Sequence, residues 1–122
     1  MSPFQNRLKK LMHEYAMYTY GIVLKFPKEE MYSSRSQLTR AVLSVILNYI
    51  EGYSRRRKRV QLNFYETAYG SLGESRYLYY YFALCRQWIN KDEYDKAVQL
   101  ADEVGRMLWS EITSTEKAAI TQ

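Results

Sequence analysis

"SRSQLTRAVLSVILNYIEGY", residues 34–53, reads as a helix with more apolar surface than one neighbour can cover. Leu38, Ala41, Val42, Val45 and Tyr49 recur at three- and four-residue steps and make one stripe. Leu43, Ile46, Leu47 and Ile50 make a second stripe beside it. A helix that is apolar on several sides must be buried on several sides. A chain of 122 residues has few ways to do that alone, so a homo-oligomer is expected. A helix at the centre of a single subunit would satisfy the same pattern. Ser34 and Gln37 have the spacing of a capping box, in which each side chain satisfies a backbone N–H left open at a helix start.

Working outward, three more helical segments flank this one. The first covers about residues 4–25, where Phe4, Leu8, Leu11, Tyr15, Tyr18 and Ile22 share a face. Phe26-Pro27 ends it, because a residue before proline is pushed out of helical geometry. The third covers about residues 58–88. Phe64, Ala68, Ser71, Ser75, Leu78, Phe82 and Cys85 repeat at heptad spacing there. Gly70 and Gly73 lie beside that seam and predict a close-approaching backbone, since each costs the helix about 1 kcal/mol relative to alanine. The fourth covers about residues 92–113, with Asn90 or Asp92 as cap and Tyr94, Ala97, Ala101, Val104 and Leu108 as seam. The tail after Ser114 is expected to fray. Two prolines and five glycines are too few for an all-β chain. The fold class predicted is all-α: one domain over 1–122, an antiparallel up-down-up-down four-helix bundle with short joints.

A polar line, Arg40, Ser44, Asn48 and Glu51, runs along the second segment. If the second and third segments fold back on one another near residue 55 or 56, Arg40 falls opposite Ser71, one turn from Glu74. A buried charge needs a partner. The expectation is therefore an Arg40–Glu74 ion pair, with Asn48 and Ser71 completing a structural polar network.

Charge is concentrated at the joint itself. Arg55, Arg56, Arg57, Lys58 and Arg59 are five consecutive cations. They help the end of one helix and oppose the start of the next, by roughly 0.3–1 kcal/mol each at low salt. They have no clear net local benefit, which leaves a solvated turn or a bound anion. Residues 1–91 carry 15 Lys and Arg against 6 Asp and Glu, whereas residues 92–122 carry 3 against 7. A basic body points to an anionic partner such as RNA or DNA, and equally to simple solubility. The five joint cations are the first candidates for phosphate contacts, with Arg7, Lys9 and Lys10 second. Such contacts grip backbone rather than base edges.

Other chemistry is poorly supplied. His13 is the only histidine, no E-x-x-H metal spacing occurs, and no phosphate-cradling glycine loop is present. No catalytic residue, metal or cofactor is expected. Cys85 reads as a core thiol, and a single cysteine suits a reducing cytoplasm. Apolar runs are too short for a membrane span. The thirteen tyrosines could stack on bases, but their helical spacing makes most of them core or interface residues first.

"KFPKEEMY", "SQLTRAVLSVILNYIEGYSR" and "FYETAYGSLGE" together resemble the four-helix bundle proteins encoded in intervening sequences of large-subunit ribosomal RNA genes. The matching residues are Phe26, Pro27, Gln37, Leu38, Arg40, Ala41, Asn48, Glu51, Gly52, Arg55, Phe64, Ala68, Gly70, Ser71 and Glu74, within a likeness over about residues 5–113. "ADEVGRMLWSEI", residues 101–112, is also similar to a related branch, the accessory protein of diversity-generating retroelements. The resemblance implies a barrel-shaped homopentamer without enzymatic activity. On the retroelement branch it implies nucleic-acid binding beside a reverse transcriptase. Tyr49 and Ile50 replace the family's usual Ile-Ala, and Arg57 replaces a frequent serine cap. The rival reading is a protein-interaction module that binds no nucleic acid.

Overall fold

The computed structural model describes residues 1–121, and Gln122, the last residue of the expected domain, lies outside them. Among the described residues there are four long helices and no strand: α1 (Pro3–Val23), α2 (Ser34–Tyr53), α3 (Lys58–Tyr80) and α4 (Lys91–Thr121). A 3-10 turn, Lys28–Glu30, separates α1 from α2, and a π-helical turn, Tyr81–Cys85, ends α3.

Local chemistry explains the helix starts. Ser2 Oγ accepts from Gln5 N at 3.1 Å and Gln5 Oε1 accepts from Ser2 N at 2.9 Å, with Pro3 supplying no N–H to satisfy. Asn90 and Glu93 make the same exchange before α4, at 2.8 and 3.0 Å. The capping box expected at α2 does not form. Ser33 and Ser34 instead donate their hydroxyls to Glu30, so the 3-10 turn anchors the helix start from outside. These bonds hold the Glu30 carboxyl below its ordinary range, the Ser33 hydroxyl contributing most.

The cross-helix contacts fix how the rods lie. Gln5 meets Glu111, Arg7 meets Glu103 and Tyr18 meets the Glu93 carbonyl, so numbers rise along α1 as they fall along α4. Ser44 meets Ser71, and Gly52 meets Tyr65, in the same opposing sense between α2 and α3. Inside, Leu8, Tyr15, Leu38, Val42, Val45, Tyr49, Ala68, Val104 and Leu108 are fully or almost fully shielded from water.

Two hydroxyl pairs join α1 to α3 within that core. Tyr15 Oη lies 2.8 Å from Ser75 Oγ, and Thr19 Oγ1 lies 2.6 Å from Tyr79 Oη. Proton direction follows from the remaining partners. Ser75 donates to the Leu72 carbonyl and Thr19 to the Tyr15 carbonyl, so each tyrosine donates to the smaller hydroxyl. Burial pushes the Tyr15 hydroxyl up to about 12, against the opposing pull of the Ser75 bond and the Arg76 charge.

Several expectations are corrected. The buried line of α3 is Gln61, Tyr65, Ala68, Leu72, Ser75, Leu78 and Tyr79, continued by Phe82 in the π turn. Phe64 and Ser71 sit at its edge and Cys85 is exposed. A π turn takes more residues per revolution than an α-helix, which rotates whatever follows it off the seam. α4 does not fray after Ser114: it continues to Thr121, with Thr115 and Ala119 buried. Among the described residues nothing packs close to Gly70 or Gly73, where an added Cβ would meet no atom within 4 Å. On α2 the second apolar stripe is split: Leu43 and Ile46 are half-buried, Ile46 against the core, whereas Leu47 and Ile50 are 55% and 43% exposed.

Candidate nucleic-acid interface

The joint between α2 and α3 is short because Gly52 lets the helices touch. A Cβ there would stand 2.8 Å from both Phe64 Cβ and Tyr65 Cε1. The turn is then pinned from below by Gln61. This buried side chain donates to the Arg55 carbonyl at 2.9 Å and lies 3.4 Å from the Tyr53 carbonyl. Ser54 caps the α2 end by donating to the Glu51 carbonyl at 2.7 Å. A tight, internally bonded turn leaves its side chains to solvent.

The five cations of this joint are not equivalent. Arg55 is drawn down onto the protein, ion-paired with Glu51 and set 5.2 Å from the centre of the Phe64 ring. Lys58 is half-buried and lines a cavity. Arg56, Arg57 and Arg59 are exposed and form no ion pair among the described residues. Of the secondary candidates, Arg7 is held by Glu103 at 2.9 Å, Lys9 is half-buried and Lys10 is exposed.

The start of α1 and the end of α4 meet the joint around a cavity of about 400 Å³, lined in part by Gln5, Tyr53, Lys58, Gln61, Tyr65 and Glu111. Glu111 is 9% exposed, and its Oε1 accepts from Gln5 Nε2 at 2.9 Å. Burial, and then the Glu111 charge, hold the Tyr49 and Tyr65 hydroxyls well above the ordinary phenol range. Tyr49 Oη has no hydrogen-bond partner among the described residues. Sequence reasoning passed over Glu111 and Gln61. Both carry a signal: each is a polar residue at heptad spacing on an otherwise apolar seam, Glu111 seven residues after Val104 and Gln61 seven before Ala68.

The polar line on α2 is assembled differently from the expectation. Ser44 and Ser71 share a 2.9 Å hydrogen bond, and Asn48 Nδ2 donates to the Ser44 carbonyl and hydroxyl. Arg40 and Glu74 are exposed and make no ion pair among the described residues. The helices are shifted by four residues, about one turn, from the expected register, so Ser44 occupies the place assigned to Arg40. That register sets Arg40 level with residue 75, beside Glu74, yet both charges lie on exposed sides of their helices, reach water and need no partner.

Among the described residues, no cluster of three or more His, Cys, Asp or Glu side chains could hold a metal ion. No helix among them is long and apolar enough to cross a membrane. His13 is exposed on α1.

An all-helical bundle with a tight, arginine-rich joint defines the class. The chain belongs to the 23S rRNA-intervening sequence protein family, whose model matches residues 5–110. Its fold is similar to a crystal structure of a protein of unknown function from the S23 ribosomal protein family of Bacteroides thetaiotaomicron. The TM-score is 0.76 at 18% identity, covering 86% of this chain and 97% of that one. No curated protein matches the chain.

Proposed function

We propose that the chain is a non-enzymatic accessory protein of the cytoplasm. In this reading up-down-up-down bundles assemble with copies of themselves, as a homopentamer, and hold nucleic-acid phosphates on the joint between α2 and α3. The observation that carries it is the trio Arg56, Arg57 and Arg59, exposed close together in sequence with no acid paired to them among the described residues. Three uncompensated guanidiniums on a rigid turn cost a little in mutual repulsion and attract phosphate strongly. Contacts to phosphate are common to RNA and DNA, so the ligand is a nucleic acid of either kind. On the retroelement branch the same surface would serve a reverse transcriptase and its template.

Assembly is supported by the second stripe of α2, which one subunit leaves wet at Leu47 and Ile50. The same stripe supports the rival reading, a protein-docking module without nucleic-acid binding. A gel-shift assay with ribosomal RNA fragments separates the two. Changing Arg55, Arg56, Arg57, Lys58 and Arg59 together to glutamine should abolish the shift while the oligomer persists. An undiminished shift defeats the assignment, and no salt-sensitive shift by the unaltered protein favours the docking module.

A further inference from the structure

We propose that single-stranded nucleic acid lies along the exposed face of α4, from the groove it forms with α3 toward its C-terminal end, its unpaired bases stacking on Trp109 and Tyr69. This rests on the nucleic-acid reading above and specifies the form of the ligand. Trp109 and Tyr69 are 57% and 41% exposed, with ring centres 5.4 Å apart and planes tilted by 50°. Two large rings held against one another at the surface form a platform that a base face can extend.

The charges beside the platform match a strand. Residues 92–122 are acidic overall, with only three Lys and Arg, yet two of these, Arg106 and Lys117, line the grooves around Trp109. Neither is ion-paired among the described residues. They are eleven residues apart, three turns of α4, so they share a face and stand about 16 Å apart along the axis. Asp102, the acid at the lower end, is tied to Arg76 at 2.8 Å.

The groove is also continuous with the basic joint. The depressions on either side of Trp109 share Arg106 and Trp109 themselves. The upper one shares Ser110 and Ser114 with the cavity that Lys58 lines. A strand whose phosphates sit at the arginine joint therefore has a path of cations, hydroxyls and rings leading away from it. A duplex keeps its base faces occupied and gains nothing from the rings.

The test is the affinity of the full chain for oligouridylate and for a duplex RNA of equal length, before and after Trp109→Ala and Trp109→Tyr. Trp109→Ala should weaken single-strand binding about ten-fold and change duplex binding by less than about two-fold, and Trp109→Tyr should restore most of the loss. Equal loss for both ligands, or no loss, overturns the proposal. So does a change of oligomeric state in Trp109→Ala, which would mean that a second copy covers the rings. If the unaltered protein binds neither ligand, the parent reading fails and this one with it. Single-strand binding that is indifferent to Trp109, in a protein that does bind RNA, defeats this one alone.

Discussion

Gly52 of α2 and Tyr65 of α3 are so close that a Cβ on the glycine would lie 2.8 Å from the tyrosine ring. Alanine elsewhere in a helix stabilises by about 1 kcal/mol over glycine. Here the clash wins, because the ring is buried and the second close atom is Phe64 Cβ, fixed to backbone. Gly52→Ala should destabilise the protein by about 1–3 kcal/mol in chemical denaturation. Gly70→Ala, with open space around it, should be neutral or stabilising within one subunit.

The paired hydroxyls of α1 and α3 predict a second result. Ser75→Ala leaves the buried Tyr15 hydroxyl without its acceptor, at a cost of about 1–3 kcal/mol. Adding Tyr15→Phe removes the orphaned group and should recover part of that loss. A double-mutant cycle by denaturation that shows no coupling would rule the pair out as a stabilising contact.

Alkaline pH should unfold the chain. The Tyr15 hydroxyl is raised from 10.0 to about 12, and burial raises Tyr49, Tyr65 and Tyr79 further. A group with a raised folded-state value binds its proton more tightly when folded. Its contribution is complete below pH 10 and is lost as pH rises through the folded-state value. Helical circular dichroism should be lost above pH 10 together with the rise in absorbance from the buried tyrosines.

Within the basic joint, single substitutions should rank unequally. Arg56→Gln, Arg57→Gln and Arg59→Gln each remove a guanidinium with no acid partner among the described residues, and each should lower the slope of log affinity against log salt by about 0.7–0.9. Arg55→Gln should lower it less, since Glu51 already neutralises that charge. Equal effects at all four positions would show that the ion pair opens on binding.

Leu47→Glu should dissociate the proposed oligomer and leave the subunit folded. The side chain is 55% exposed in one subunit, so a charge there costs little until a second copy covers it. Sedimentation together with circular dichroism distinguishes dissociation from unfolding.

How much of this was legible in the residues varies from helix to helix. In α2 the buried stripe Leu38, Ala41, Val42, Val45 and Tyr49 was readable from its three- and four-residue spacing, although a second apolar stripe lies beside it. In α3 it was only half readable. Two lines at heptad spacing run along that helix and share Ala68, Ser75 and Phe82. Tyrosines lie on every side, so periodicity could not say which line faces inward. The neighbours decided it, by offering Tyr15 and Thr19 as hydroxyl partners to Ser75 and Tyr79.

The site divides in the same way. The cation run was plain in the sequence, but its inequality was not. Whether an arginine is free depends on which acid comes within reach, and the Arg55 contact with Glu51 and the Arg7 contact with Glu103 are facts of packing. Arg40 and Glu74 show the converse, two charges expected to meet that stay in water because each lies on the exposed side of its helix. By itself the sequence determined four helices, where each begins and the concentration of charge at one joint, because propensity, capping and spacing act over a few residues. Register, the inward edge of α3 and the partners of individual charges were decided only in the tertiary structure, because they depend on contacts between residues far apart in the chain.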